Sequence, residues 1–220
     1  MARDTPGETP SGGTPSAPDR RSSRFMLAAA GLAVVVILGS GVLVGLELRN
    51  GEHGVAGTVL GRAVGGPFRL TDQNGKTVTD ASLHGKWLLV YFGYTHCPDA
   101  CPTALNNIAL ALDKLGPKRG QFRPVFITID PARDTPQALK DYVAAFGAPI
   151  LALTGTDTEI AQAAKEYHVY YAKHEENGGD YSVDHTSVVY VMDPQGRFAA
   201  GINSETPPED MAAKLKKLVG

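Results

Sequence analysis

Cysteine is nearly missing from this chain, with two among 220 residues. So low a count excludes a small secreted scaffold stapled by several disulfides. An excess of positive charge is missing too: Lys and Arg number 21 against 23 Asp and Glu. Five of those cations and four of those anions precede residue 51, which leaves 16 against 19 in the remainder. That balance offers no basic footprint for nucleic acid. No internal repeat is visible, and the one long uncharged apolar run is Phe25 to Leu46.

What is present divides the chain into four parts. Residues 1–24 are dense in Pro, Gly, Ser and Thr without apolar periodicity, the composition of a disordered tail. Residues 25–46 would make a helix of roughly 33 Å, long enough to cross a hydrocarbon core. The run continues into Glu47-Leu48-Arg49 with no small-residue cleavage pattern, which favours an uncleaved transmembrane anchor over a signal peptide. Arg20, Arg21 and Arg24 precede the span, whereas Arg49 stands between Glu47 and Glu52. Cationic flanks stay inside, so the tail is expected to be cytoplasmic and the remainder exported. Export means the periplasm of a bacterium or the intermembrane space of a mitochondrion. Without an Arg/Ser-rich, acid-poor presequence, a bacterial inner membrane, spanned once, with the domain in the periplasm, is favoured. The glycine-rich residues 47–66 read as a linker, and residues 67–220 suffice for a hydrophobic core.

In that domain Phe68 to Thr79 reads as a hairpin around Asn74-Gly75. Lys86 to Phe92 is a continuous apolar strand of the kind buried on both faces. Helices are expected over Thr103–Leu115, Gln137–Phe146, Glu159–Tyr167 and Pro208–Leu218. Strands are expected over Phe122–Ile129, Ile150–Thr154, Ser187–Met192 and Arg197–Ile202. Between the helix ending at Tyr167 and the strand from Ser187, His174 reads as part of a polar loop. The alternation predicts an α/β fold, a thioredoxin-like sheet with flanking helices and a site at the carboxyl ends of its strands.

Both cysteines lie in Tyr94-Thr95-His96-Cys97-Pro98-Asp99-Ala100-Cys101-Pro102, directly after the apolar strand. A spacing of four puts two helical side chains on one face. Pro102 leaves the helix start open, at Pro98 or at Pro102 itself. Either way the sulfurs face a positive helix end, which favours thiolate. Thiolates select Cu(I), Zn or iron–sulfur clusters; a single added imidazole makes a three-donor set suited to copper, whereas structural zinc wants four ligands. Of six histidines, His53 and His84 fall in linker and turn, His96 adjoins Cys97 but alternates away from it, and His168 and His174 fall at a helix end and in the polar loop. His185, in Val183-Asp184-His185-Thr186 ahead of a strand, is open between a metal ligand and a capping or surface histidine. The same thiols could instead perform disulfide exchange, with Cys97 attacking and Cys101 resolving.

The segments Gly93 to Pro102, Ile129-Asp130-Pro131-Ala132-Arg133-Asp134-Thr135-Pro136, Tyr167 to Tyr171 and Val183-Asp184-His185-Thr186 resemble the Sco/SenC family across roughly residues 55–218. The resemblance implies a membrane-anchored, thioredoxin-like copper chaperone that assembles the dinuclear copper-A centre of cytochrome c oxidase. It implies copper ligands at Cys97, Cys101 and His185, and subunit II of the oxidase as partner. A further periplasmic copper chaperone and a thiol reductase could act with it. It also admits reduction of that subunit's cysteines as an alternative role. Asp130 would then lie near the metal, although a capped turn after a strand explains the same residue. A peroxiredoxin-like reading of Val189 to Gly196 lacks the Thr-x-x-Cys pattern at Cys97.

Overall fold

The computed structural model describes residues 58–59, 62–176 and 178–219. The expected tail, the expected span and most of the expected linker lie outside them. Among the described residues no helix is long and apolar enough to cross a membrane.

Two short strands, β1 (Thr58–Val59) and β2 (Arg62–Ala63), pair only with each other. Residues 64–66, read from sequence as the linker's end, are packed: Val64 is buried and the Gly65 N–H donates to the Glu166 carbonyl at 2.8 Å. Next come β3 (Arg69–Asp72) and β4 (Thr77–Thr79), the hairpin around Asn74-Gly75. Gly75 sits at φ +79°, the left-handed region that such a turn requires. The Asp72 carboxylate accepts from the Asn74 and Lys76 N–H groups, 2.8 Å each.

The centre of the molecule is β5 (Trp87–Gly93), whose residues from Leu88 onward are all buried. It lies parallel to β6 (Phe122–Thr128), and β6 lies parallel to β7 (Leu151–Thr154). The β3–β4 hairpin closes one side antiparallel to β7. On the other side β10 (Val188–Met192) and β11 (Phe198–Asn203) add antiparallel strands, giving the order β11-β10-β5-β6-β7-β3-β4. Helices α1 (Ala100–Lys114), α2 (Pro136–Ala144), α3 (Asp157–Glu166) and α4 (Pro208–Leu218) flank this mixed sheet. Burial of β5 on both faces follows from that layering. The fold is thioredoxin-like, as expected.

The helix ends are chemically specified. Thr135 caps α2 by accepting from Ala138 N–H, with Pro136 at the first helical position. Thr156 and Glu159 form a reciprocal capping box on α3. At the far end of α3, Val169 N–H donates to the Ala164 carbonyl and His168 N–H to that of Lys165, a Schellman closure. His168 occupies its left-handed position at φ +55°. A Cβ is unfavourable there, so His168→Gly is expected to raise stability by about 0.5–1 kcal/mol in chemical denaturation. A decrease would show that the exposed imidazole makes a contact worth more than the backbone strain.

One element differs from the sequence reading. The stretch read as a polar loop holds β8 (Tyr171–Glu175) and β9 (Tyr181–His185), an antiparallel hairpin outside the main sheet. Its inward residues are only partly buried apart from Val183, so no run of apolar residues marks it.

Candidate metal centre

β5 ends at Gly93 in a tight place. A Cβ on Gly93 would lie 2.8 Å from Cys101 Sγ and 2.9 Å from Phe126, so only glycine lets the second sulfur pack beneath the strand end. The chain then turns, with the Cys97 N–H donating to the Tyr94 carbonyl. Helix α1 begins at Ala100, between the two starts that the sequence left open. Pro102, the third helical residue, lacks an N–H that would have had no intrahelical acceptor anyway. Cys97 Sγ accepts from the Cys101 N–H at 3.3 Å, so this sulfur itself caps the helix.

The second half of the site comes from β9. His185, its last residue, brings Nε2 to 3.4 Å from Cys101 Sγ. Nδ1 lies 3.2 Å from the Thr186 carbonyl oxygen, which can only accept, so Nδ1 carries the proton and Nε2 presents its lone pair. Tyr91 and Tyr94 hold the ring edge-on, with centroids 5.9 and 6.2 Å away. The donor atoms of Cys97, Cys101 and His185 all lie within 4.8 Å of one another. A point within about 2.8 Å of all three therefore exists (4.8/√3). Small side-chain shifts bring that to ordinary metal–sulfur and metal–nitrogen lengths of about 2.3 and 2.0 Å. Both cysteines are free; Cys101 is fully buried and Cys97 half-buried. No further His, Cys, Asp or Glu joins this group among the described residues.

The sulfurs are electrostatically unequal. The hydrogen bond from the Cys101 thiol, outweighing burial, together with the Cys101 and Asp99 N–H groups, draws the Cys97 thiol down to about 4. Cys101 moves upward, chiefly because it is hydrogen-bonded to the Cys97 sulfur and also because it is buried. The metal-free pair is thus a Cys97 thiolate beside a Cys101 thiol. An acid with a lowered pKa is ionised above that value, so Cys97 alkylation should be flat from roughly pH 5 to pH 9. An unperturbed thiol would gain about tenfold per unit up to about 8.5. Mass-resolved iodoacetamide kinetics on the reduced, metal-free chain measure this, and a rise of that kind at Cys97 would contradict it.

Asp130 is placed differently from the metal donors. It is fully buried and outside the donor group. Its Oδ1 accepts from Tyr181 Oη at 2.7 Å and lies 3.5 Å from Lys173 Nζ, while Oδ2 accepts from Arg133 Nε. Burial opposes its ionisation, but the bonds from Tyr181 and Arg133 and the two nearby cations hold it below the usual carboxylate range. Asp134, also buried, accepts from Thr95 N–H at 3.0 Å, Thr95 Oγ1 at 2.6 Å and Thr128 Oγ1 at 2.6 Å. Sequence reasoning missed Tyr94, Thr95, Tyr181 and these contacts. Only the hairpin left a trace, the Asn177-Gly178 pair between two tyrosine-led segments.

The other histidines stand apart. His96 is exposed, with Nδ1 3.1 Å from Thr95 Oγ1; His174 lies 2.9 Å from Asp184 across the hairpin. His84 lines a cleft of about 440 Å³ near Leu88, at the opposite end of β5 from the cysteines. His53 is outside the described residues. Cys97 and His185 border an open groove of about 360 Å³, lined also by Tyr94, Pro98, Ser182, Asp184 and Ser187, while Cys101 lies buried away from it.

A thioredoxin-like sheet with two thiols and one imidazole converging at the end of its central strand defines a soft-metal thioredoxin-fold protein. The chain belongs to the SCO1/SenC family, whose model matches residues 57–220. It is 48% identical over 137 residues to "Protein SCO1 homolog 1, mitochondrial" of Arabidopsis thaliana, covering 62% of this chain and 41% of that protein. Its fold matches Bradyrhizobium japonicum ScoI with copper bound at TM-score 0.66 and 48% identity, over 70% of this chain and 99% of that one. It also matches BsSco, described as a Sco-family cytochrome c oxidase assembly protein with a disulfide switch, at TM-score 0.58 and 28% identity. That match covers 73% of this chain and 95% of the other.

Proposed function

We propose that the chain is a copper chaperone that receives copper on Cys97, Cys101 and His185 and hands it to the copper-A centre of cytochrome c oxidase subunit II. The observation that carries this is the convergence of three donors, two of them soft, with no fourth His, Cys, Asp or Glu joining them among the described residues. Three donors, two of them (Cys97 and His185) bordering an open groove, hold copper yet leave room for an incoming ligand, as transfer by ligand exchange demands. The copper-bound ScoI structure supports the choice of metal, and the description of BsSco supports the assembly role. In this reading residues 25–46 anchor the domain on the periplasmic side of a bacterial inner membrane. Confinement to one membrane raises the effective concentration of chaperone at its target.

A second reading, thiol–disulfide exchange with the cysteines of the same subunit, is favoured by one observation: Cys97 is half-buried and its thiolate is stabilised. The two separate in one experiment. The full chain, copper-loaded and reduced, is mixed with subunit II whose copper-A cysteines are reduced and empty. Appearance of the dinuclear centre's optical bands, with loss of copper from this chain, supports delivery. If the metal-free chain reduces oxidised subunit II but the loaded chain donates no copper, reduction is the function.

A further inference from the structure

The donor triad is assembled from two elements that do not belong to one sheet. The sulfurs stand on the turn and helix that follow β5, inside the main sheet, whereas the imidazole stands on a hairpin outside that sheet. Something must hold each arm in register with the other, since a displacement of about 1 Å spoils a coordination site. The short turn after β6, residues 130–134, touches both.

Its last carboxylate faces the sulfur arm. Asp134 accepts both the N–H and the hydroxyl of Thr95, two residues before Cys97, and is steadied from behind by Thr128 Oγ1. Its first carboxylate faces the imidazole arm. Asp130 accepts the hydroxyl of Tyr181, and Arg133 joins the same contact from two sides. The guanidinium lies 3.7 Å from the Tyr181 ring centroid, and Nη1 donates to Asp180 at 2.9 Å. Arg133 Nη2 is buried without a hydrogen-bond partner, as expected of a guanidinium committed to an aromatic face. Residues 181, 183 and 185 alternate onto one face of β9, so what fixes the roll of Tyr181 fixes the roll of His185. The turn is itself closed, with the Asp134 and Arg133 N–H groups donating to the Asp130 carbonyl.

We propose that the 130–134 turn is a two-handed brace, in which Asp134 positions the thiol pair through Thr95 while Asp130 and Arg133 position the His185 imidazole through Tyr181. Thr95, Tyr181 and Arg133 are on this view positioning residues, each serving one arm. The inference rests on the copper reading above, and it predicts that the arms can be loosened separately.

Two near-isosteric variants of the full chain test it. Tyr181→Phe removes the hydroxyl but keeps the ring; Thr95→Val removes one of the two Asp134 contacts. Two readouts are taken on each: imidazole nitrogen coupling in the pulsed spin-resonance spectrum of the Cu(II) complex, and the Cys97–Cys101 dithiol/disulfide equilibrium in a glutathione buffer. Tyr181→Phe should weaken or split the nitrogen coupling and lower Cu(II) affinity about tenfold, with the disulfide equilibrium within about twofold of wild type. Thr95→Val should move the disulfide equilibrium about fivefold or more and leave the nitrogen coupling in place. Equal changes in both readouts, exchanged patterns, or no change in either would overturn the brace. If the wild-type complex itself shows no nitrogen coupling, the copper reading fails. The imidazole arm is then judged from the His185 ring nitrogen shifts of the metal-free chain, which Tyr181→Phe must still move and Thr95→Val must not. Should Tyr181→Phe fold poorly, Arg133→Lys, which keeps a cation beside Asp130 but gives up the guanidinium over the Tyr181 ring, carries the same expectation.

Discussion

His185→Ala should lower the Cu(II) affinity of the full chain by at least about a hundredfold while leaving the Cys97–Cys101 disulfide couple able to form. Loss of a hydrogen-bond partner behind a ligand commonly weakens metal binding about 10–100-fold, and loss of a ligand exceeds that. Cu(II) is the sensitive probe because it favours nitrogen donors, whereas two thiolates still satisfy Cu(I) in part. The sulfurs keep their supports in this variant: the capping N–H of Cys101, the Gly93 gap and the Asp134 contact to Thr95 do not involve the ring. Competition titration with a chelator of known affinity, alongside thiol counting before and after oxidation, measures both halves. Retained Cu(II) affinity would mean that the imidazole is a bystander beside a two-sulfur site.

The second large effect concerns Asp130, and it is an effect on folding. Asp130→Ala leaves Tyr181 Oη without its acceptor and Arg133, only 17% exposed, with the exposed Asp180 as its remaining carboxylate. Removing one member of a buried charge pair strands the other, and about 3 kcal/mol of stability should be lost in denaturation of the reduced, metal-free chain. The sign of the pH dependence follows. A carboxylate held below its usual range contributes stability above its unfolded pKa, near 3.9, which disappears as pH falls through the lower folded value. The wild-type advantage over Asp130→Ala should therefore shrink in acid. A variant as stable as wild type but with an altered copper spectrum would make Asp130 a direct partner of the metal instead.

Much of this architecture was legible in the residues. The apolar run ending at Gly93 announces a strand buried on both faces, and Asn74-Gly75 announces the first hairpin. The cysteine spacing limits the chemistry to soft metals or disulfide exchange. His185 was the weak point. Spacing left it open, and only resemblance to Sco/SenC proteins raised it to a ligand. The physical reason is that its hairpin lies outside the main sheet and buries little, so it bears neither helical nor strand periodicity. The contacts that position the two arms of the site join residues 51 and 39 apart in sequence, Tyr181 to Asp130 for the imidazole and Thr95 to Asp134 for the thiols. Polar pairs at such separations have no pattern to read, because what unites them is the shared turn after β6. Asp130 shows the same limit: the family signature suggests a place near the metal, whereas its two oxygens bond to Tyr181 and Arg133.

The most direct test of the central claim is X-ray absorption at the copper edge on the loaded, reduced full chain. Two sulfur scatterers and one imidazole nitrogen at bonding distance are expected, with the nitrogen shell lost in His185→Ala. A spectrum fitted by sulfur alone in wild type, unchanged in the variant, would contradict the account.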